Sequence, residues 1–364
     1  MTDLLVNALS VTNQSGLHVL AGHLDQLSGE FSVAVIARPS TTDLRERFAG
    51  RVGWIDAPEK TSGWLARAVW EFLCLEKIAR DVGARFYFTP SGIAAHRLSI
   101  PQAVLCQNPW ALVPAARRRA DAPKAWLQRC AYRRTMRCAE LMVFNSEYMR
   151  KAYRQNAGFH EKQSIIATQA ADSETRRRAQ EWRGRPRVDG QILCVSAMAP
   201  HKNVEAVIEA FHKLPESTTL RLVGSWPDSA YEVKIRTLVG ERRLGDRVFF
   251  DGFISREELD RLYAESQVFC LMSRCESFGI PAIEAQLFGT PVVCSKVCAV
   301  PEVCGESGVF VDPDDIAGIA QALEKLLSDS NVWKKLSEKA RFNADRFHWE
   351  TCSKPLVEWF KGAA

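Results

Sequence analysis

The sequence predicts an α/β protein of two doubly wound domains, each a parallel sheet covered by helices. Short apolar runs alternate with segments of helical periodicity along the 364 residues, which is typical of parallel strands joined by helical crossovers. This alternation stops once, in the polar stretch 172–190, and then begins again. The length of the chain also suits two domains of ordinary size.

In the first half, five apolar runs predict strands, because they are rich in Val, Phe and Ile and end at Ser, Asn or Pro. They read LLVNALSV, FSVAVIA, ARFYFT, QAVLCQN and ELMVFNS. Helical spacing predicts helices over residues 17–28, 64–80, 123–139 and 146–155. We assign residues 1–180 to the first domain and residues 181–190 to a linker.

In the second half, six further runs predict strands. They read QILCVSAM, TTLRLVGS, RVFFDGF, QVFCLMS, TPVVCS and SGVFVDP. Helices are expected around 203–213, 229–243, 255–265, 281–288 and 315–340. The second domain is assigned to residues 191–340, followed by a C-terminal segment, 341–364, of one or two amphipathic helices. Ligands of such sheets bind beyond the carboxyl ends of the strands, so we expect a site in a cleft between the domains.

Composition limits the class of protein. The chain is 46% hydrophobic and 25% charged, as soluble globular proteins are. No apolar run reaches the roughly 18 residues of a membrane span, and an acidic start before a short apolar run argues against a signal peptide. Eleven cysteines without a CxxC pair, together with scattered histidines, indicate buried thiols in a reducing compartment rather than a zinc site. A cytoplasmic location is therefore expected.

Positive charge is concentrated in the first half, where 28 lysines and arginines up to Arg187 face 17 acids. Residues 115–137 carry eight cations and one acid, Asp121. This run is either a solvated helix face or a surface attracted to an anionic membrane leaflet. We favour the membrane and expect no nucleic-acid partner, because no nucleic-acid-binding motif accompanies the charge. The membrane-facing candidates are Arg117, Arg118, Arg119, Lys124 and Trp126.

The segment CESFGIPAIEA, residues 275–285, places two acids, Glu276 and Glu284, eight residues apart. Gly279 and Pro281 predict that a helix begins between the acids, since proline suits a first turn and glycine the loop before it. Both carboxylates can then face the space above the helix N-terminus, where free N–H groups and the helix dipole favour an anion. Lys202, after another strand, adds a cation at the start of a helix.

Four segments in this half carry a family resemblance. They are HKNVEAVIEAF, RVFFDGFISREELDRLYAESQVFCLMS, CESFGIPAIEAQLFGTPVVCS and VPEVCGESGVFVDPDD. In this order and spacing, residues 190–315 resemble the retaining GT-B glycosyltransferases of family four, the group 1 glycosyl transferases. The first half resembles them only loosely. The resemblance implies a GT-B fold with two Rossmann-like domains facing a cleft, and a C-terminal helix that returns to the first domain.

The resemblance also implies roles for individual residues. Glu276, near the hydroxyls of the donor sugar, and Lys202, on the diphosphate, would be the catalytic residues. Glu284 would hold the ribose hydroxyls. Ser196 and Ala197 stand where family members often have Gly-Arg, so a second cation on the phosphates is missing there. Further donor-binding candidates are Phe278, Gly279 and Ile280 through their amides, with Ser196, Gly224, Phe253 and Ile254. The acceptor-side candidates are Gly16, His18 and Asn108.

The implied activity is retaining, metal-independent transfer of a hexose or deoxyhexose from a UDP- or GDP-sugar, without a cofactor. The implied acceptor is a glycan or a lipid-linked molecule in polysaccharide or lipopolysaccharide biosynthesis, at the cytoplasmic face of the plasma membrane. Two alternatives remain. One is another enzyme on the same architecture, such as a nucleotide-sugar epimerase or a phosphorylase. The other is a non-catalytic partner protein that kept the fold.

Overall fold

The computed structural model describes residues 2–114, 117 and 119–363, without the side chain of Arg119. These residues form two compact units. The first unit contains the chain up to Leu112, residues 120–170 and the chain from His348 onwards, whereas the second contains residues 171–347 and the short segment 113–119. None of the described helices is long and apolar enough to span a bilayer.

The first unit is built around a parallel sheet of seven strands, in the order β3-β2-β1-β4-β5-β6-β7. Most of its strands are buried, because helices cover both faces of the sheet. The strands are β1 (Leu4–Asn7), β2 (Val33–Ala37), β3 (Gly53–Asp56), β4 (Phe86–Thr89), β5 (Gln102–Cys106), β6 (Leu141–Phe144) and β7 (Ser164–Ile166). The helices are α1 (Gln14–Glu30), α2 (Thr42–Arg47), α3 (Trp64–Asp81), α4 (Ala122–Cys138), α5 (Glu147–Ala157) and α14 (Trp349–Ala363).

Different helices cover the two faces of this sheet. On one face, Val6 of β1 and Leu105 of β5 belong to a core with Leu24 of α1 and Phe360 of α14. On the opposite face, β1, β2 and β4 pack against α3, while β5 and β6 pack against α4 and α5. The C-terminal helix α14 is therefore part of the core of the first unit.

The contact between α1 and α14 contains a buried histidine. Nδ1 of His23 lies 2.8 Å from Oγ of Ser353, and the ring of Trp349 packs edge-on against the imidazole with centroids 5.2 Å apart. Burial lowers the pKa of His23 to about 4, and the nearby His18 adds to this shift. The imidazole is therefore neutral in the folded protein at neutral pH.

The second unit has a parallel sheet of six strands, in the order β10-β9-β8-β11-β12-β13. Its strands are β8 (Val188–Val195), β9 (Thr219–Val223), β10 (Val248–Gly252), β11 (Ser266–Leu271), β12 (Val292–Ser295) and β13 (Gly308–Val311). Its helices are α6 (Ser173–Glu181), α7 (Val204–Phe211), α8 (Ser229–Glu241), α9 (Arg256–Glu265), α10 (Ile280–Leu287), α11 (Val300–Cys304), α12 (Ile316–Ser328) and α13 (Ser330–Ala344). A core of Val207, Ile235 and Leu323 packs α7, α8 and α12 onto this sheet.

The predicted fold class is confirmed, and all six strands predicted in the second half are present. Two strands of the first unit, β3 and β7, are missing from the prediction. Both are edge strands that are only partly buried, so they lack the apolar run of a central strand. The helix predicted over 315–340 is divided into α12 and α13. The division occurs where Oδ1 of Asp329 accepts from the N–H groups of Asn331 and Val332 and caps the second helix.

The chain passes from the first unit to the second between Ala170 and Ala171, whereas the sequence predicts a linker at 181–190. The polar stretch contains α6, which belongs to the second unit. Thr175 and Arg178 of this helix bind Asp260 of α9, and the Arg178–Asp260 distance is 2.8 Å. Because polar contacts hold α6, its sequence shows little apolar periodicity, and the pattern does not predict a helix there.

We expect His23 to make the protein less stable in acid. Because folding lowers its pKa to about 4, His23 of the unfolded chain takes up a proton as the pH falls below about 6.5, whereas His23 of the folded protein stays neutral until about pH 4. The free energy of unfolding should then decrease by up to about 3 kcal/mol between pH 6.5 and pH 4. Denaturant unfolding at several pH values measures this decrease. The contribution of His23 is the difference from a His23→Gln variant, which cannot titrate at that position. His160→Gln, at an exposed position, is the control. Equal pH slopes for all three proteins would contradict the assignment.

Candidate functional site

The order of strands in the second sheet reverses at its centre. β8 and β11 are neighbours, but the chain continues from β8 outwards to β9 on one side and from β11 outwards to β12 on the other. Loops that leave two such strands diverge, and the crevice between them is where doubly wound sheets bind ligands. Lys202 follows β8 and Glu276 follows β11, so the two predicted catalytic residues lie on opposite sides of this crevice.

Lys202 is held by the residue that follows it. It ends a short turn of residues 200–202, and Asn203 then adopts a left-handed conformation with φ 57°. The Asn203 side chain is fully buried, and its amide donates to the carbonyl of Pro313 at 2.6 Å. A buried residue in this strained conformation persists only when its surroundings fix it, so the backbone at Lys202 has a defined direction.

Lys202 and Glu276 form an ion pair across the crevice. Nζ of Lys202 lies 2.5 Å from Oε1 of Glu276, and Oγ of Ser273 donates to the same oxygen at 2.9 Å. The two charged side chains are only 15% and 13% exposed, so salt screens their attraction weakly. Burial lowers the pKa of the neighbouring His201 to about 4, with a further contribution from Lys202, so this histidine is neutral near pH 7.

The helix predicted to begin between the two acids is α10, which begins at Ile280. Gly279 precedes it with φ 100°, a value that side-chain-bearing residues rarely adopt, and it places no side chain over the first turn. The side chain of Phe278 points into the core, where its ring packs edge-on against Phe347 at 5.5 Å. Phe278, Gly279 and Ile280 thus contribute backbone rather than side chains to the mouth of the crevice.

Glu284, in the middle of α10, is almost completely buried. Its Oε1 accepts from Nη1 of Arg256 at 2.8 Å, and its Oε2 accepts from the hydroxyl of Tyr263 at 2.9 Å. Each carboxylate oxygen can accept more than one hydrogen bond, so both remain capable of receiving a ligand hydroxyl. The sequence analysis did not identify Arg256 or Tyr263, because nothing in the spacing REELDRLY shows that they contact a residue more than 20 positions away.

Arg256 belongs to a chain of alternating charges. Its Nε donates to Asp260 at 2.9 Å, and Asp260 in turn accepts from Arg178 of α6. Burial alone would lower the pKa of Arg256, but the charges of Glu284 and Asp260 outweigh it and raise that pKa. Arg256 therefore stays charged and fixes the orientation of the Glu284 carboxylate.

The other donor-binding candidates lie at carboxyl ends of strands in the same sheet. Gly224 follows β9 with φ 135°, and a Cβ there would lie 1.8 Å from the carbonyl oxygen of Ser196, after β8. Only glycine allows this close approach. Phe253 follows β10 and is 81% exposed, while Ile254 is half-buried. The structure therefore places all of the donor-side candidates in the second unit.

The acceptor-side candidates lie in the first unit and have local partners. The N–H of Gly16 donates to Oδ1 of Asn13 and completes the cap of α1. Nε2 of His18 donates to the carbonyl of Ala170 at 2.7 Å. Asn108 is exposed after β5, and its side chain accepts from the N–H of Trp110. These contacts stabilise the fold locally.

The membrane-facing candidates are only partly described. Arg118 and the side chain of Arg119 lie outside the described residues, and Arg117 is half-buried. Lys124 is exposed near the start of α4, with Nζ 5.3 Å from the centre of the Trp110 ring. Trp126 is 60% exposed on the same helix.

Solved structures share this architecture along the whole chain. A sucrose-phosphate synthase from Thermosynechococcus elongatus matches with a TM-score of 0.79 at 19% identity, covering 100% of this chain and 99% of that one. Anabaena HepE in complex with UDP-glucose matches with a TM-score of 0.76 at 18% identity, covering 100% of both chains. The protein therefore has the GT-B fold, as predicted.

The sequence of the second unit is similar to a known family. Residues 175–342 match the family described as Glycosyl transferases group 1. O-antigen chain mannosyltransferase B of Escherichia coli is 33% identical over 180 residues, which are 47% of this chain and 46% of the relative. The chain spans about half or less of the length of the first curated relatives it matches. The match to the group 1 glycosyl transferases thus covers most of the second unit and just under half of the chain.

We expect the Arg256→Met variant to lose roughly 2–4 kcal/mol of unfolding free energy, because it leaves the carboxylate of Glu284 buried without its cation and removes one of the two cations that bind Asp260. This loss of unfolding free energy is smaller than that expected for a fully buried ion pair, because the Arg256 side chain is 35% exposed. Chemical denaturation measures the loss. Arg261→Met, at an exposed position of the same helix, should change stability by less than about 0.5 kcal/mol. An equal loss in the two variants would show that Arg256 is not what holds Glu284.

Proposed function

We propose that this protein is a retaining glycosyltransferase that moves a sugar from a nucleoside-diphosphate sugar to a glycan or lipid-linked acceptor. The observation that carries the proposal is the Lys202–Glu276 pair, which spans the strand-order switch of the second sheet beside the N-terminus of α10. A cation, a carboxylate and a helix N-terminus around one crevice match the diphosphate and sugar of such a donor.

The chemistry of sugar transfer requires these groups. The bond between the anomeric carbon of the sugar and the diphosphate oxygen breaks, and negative charge grows on the leaving nucleoside diphosphate. The ammonium of Lys202 and the N-terminal amides of α10 stabilise that charge where it develops. Since an ammonium and backbone amides can themselves stabilise this charge, we propose a metal-independent reaction without a cofactor.

Glu276 would hold the donor sugar while Lys202 holds the phosphate. An ammonium has three N–H donors, so Lys202 can keep its bond to Glu276 and still donate to a phosphate oxygen. The carboxylate of Glu276 would then accept from sugar hydroxyls, which fixes the sugar relative to the leaving group. This pre-organisation removes part of the entropy cost of reaching the transition state.

Glu284 would accept the ribose hydroxyls of the nucleotide. Arg256 and Tyr263 already set the direction of its carboxylate, so little reorientation is needed when a nucleotide arrives. We propose a UDP- or GDP-sugar as the donor. A GT-B neighbour, HepE, was solved with UDP-glucose, which supports a nucleotide sugar of this kind.

The acceptor is proposed to bind the first unit, and its hydroxyl would attack the anomeric carbon on the face that the phosphate leaves. Attack on that face retains the configuration of the sugar, and the departing phosphate oxygen takes the proton of the attacking hydroxyl. The relation to an O-antigen mannosyltransferase supports a hexose or deoxyhexose and a role in polysaccharide or lipopolysaccharide biosynthesis. We place the enzyme in the cytoplasm, at the inner face of the plasma membrane.

Lys202→Ala is expected to slow turnover by roughly tenfold to 150-fold, the loss of a charge-assisted contact of about 1.5–3 kcal/mol in the transition state. The assay is release of nucleoside diphosphate from a panel of UDP- and GDP-sugars, after thermal shift has shown which of them raise the melting temperature. Unchanged turnover would contradict the role of Lys202. The proposed function itself fails if no nucleotide sugar stabilises the wild-type protein.

Two controls separate chemistry from folding. Lys213→Ala removes an exposed lysine just after α7 and should leave turnover unchanged. Lys202→Arg keeps the charge but changes the shape of the donor group, so it should retain more activity than Lys202→Ala.

A further inference from the structure

One helix of the first unit exposes an apolar surface that the sequence analysis did not single out. On α3, the exposed fractions of the side chains are 66% for Trp64, 61% for Leu65, 52% for Val69, 40% for Phe72 and 70% for Leu73. From Leu65 onwards these positions follow the spacing i, i+4, i+7 and i+8, which places them along one side of the helix. We call these five residues the α3 face.

The α3 face is distinct from the side of the helix that builds the core. Leu75 and Ala79 are buried and pack, with half-buried Trp70 and Ile78, against β1, β2 and β4. A helix on the surface of a globular protein normally has one apolar side. Because α3 has an apolar side towards the sheet and a second one towards the solvent, the second side is a candidate binding surface.

Helix α4 lies in the same layer of the first unit. α3 and α4 cover the same face of the sheet, and the segment of residues 94–97 connects them. Arg134 of α4 donates to the carbonyls of Ala94 and Ala95, while the guanidinium of Arg97 lies 4.4 Å from the Phe72 ring of α3. On α4, Trp126 and Leu127 are 60% and 58% exposed.

The charges of these two helices differ. On α3, Lys77 and Asp81 pair with each other, as do Arg80 and Glu76, so the helix is close to neutral. On α4, by contrast, the cations bind neutral groups. Arg129 donates to the side-chain oxygen of Asn156, Arg133 donates to the backbone carbonyl of the same residue, and Arg134 donates to carbonyls. These bonds do not cancel the positive charge of α4, and this charge lies in the same layer as the α3 face.

We propose that the α3 face inserts into the surface of an anionic lipid bilayer, with α4 supplying electrostatic attraction to the headgroups. The apolar α3 face can enter the acyl-chain region of a leaflet, while the cationic α4 attracts the anionic phosphates of its headgroups. A second copy of this chain fits less well, because a two-fold dimer through this face would bring two cationic α4 helices together. The inference deepens the proposed peripheral membrane association, on which it rests, by assigning the anchor to α3 rather than to the basic run.

The test uses the full-length protein without any substrate, so its failure leaves the proposed transfer reaction untouched. Co-sedimentation is measured with vesicles of phosphatidylcholine alone and of phosphatidylcholine with one-third phosphatidylglycerol. We expect binding to the anionic vesicles that weakens with added salt. Leu65→Gln combined with Leu73→Gln should weaken it by at least about tenfold, because two apolar side chains no longer leave water.

The matched control exchanges two exposed apolar residues of the second unit. Val233 and Phe342 are 64% and 80% exposed, and the Val233→Gln, Phe342→Gln variant should bind vesicles as the wild type does. Equal thermal melting of all proteins shows that they fold.

The proposal is overturned if the wild type does not bind anionic vesicles or if the α3 variant binds as well as the control. Self-association that the α3 substitutions abolish, without vesicle binding, would assign the face to a second copy instead.

Discussion

The ion pair between Lys202 and Glu276 is the interaction on which the candidate site depends. It joins the loops after β8 and β11, the two strands between which the order of the second sheet reverses. The buried Asn203 fixes one partner and Ser273 holds the other, so two opposite charges face the crevice in a set geometry before any ligand arrives. Charges placed in advance need no reorganisation during a reaction, which is the main source of electrostatic catalysis.

A second set of charges connects this site to the beginning of the unit. Glu284 is oriented by Arg256, Arg256 is held by Asp260, and Asp260 binds Arg178 of α6. α6 follows directly after the chain leaves the first unit at Ala170. The residue proposed to hold the ribose is thus linked, through three consecutive ion pairs, to α6, which follows the passage of the chain from the first unit to the second at Ala170.

The sequence predicted those parts of the structure that depend on local patterns. The six strands of the second unit are continuous apolar runs, and Gly279 with Pro281 marks the start of α10. By contrast, α6 was missed because polar contacts to Asp260 hold it. The Lys202–Glu276 and Arg256–Glu284 contacts could not be predicted from local patterns, because the two residues of each pair lie 74 and 28 positions apart in the sequence. The exposure of the α3 face could not be predicted, because the apolar pattern of residues 64–80 fits a buried helix equally well.

The central claim, that the crevice of the second sheet binds a nucleoside diphosphate, is tested most directly by a crystal structure with UDP or GDP bound. The account predicts a phosphate oxygen within about 3.2 Å of Lys202 Nζ. It also predicts the diphosphate over the N-terminus of α10 and the ribose hydroxyls at Glu284. A nucleotide bound elsewhere on the chain, with the Lys202–Glu276 pair untouched, would contradict it.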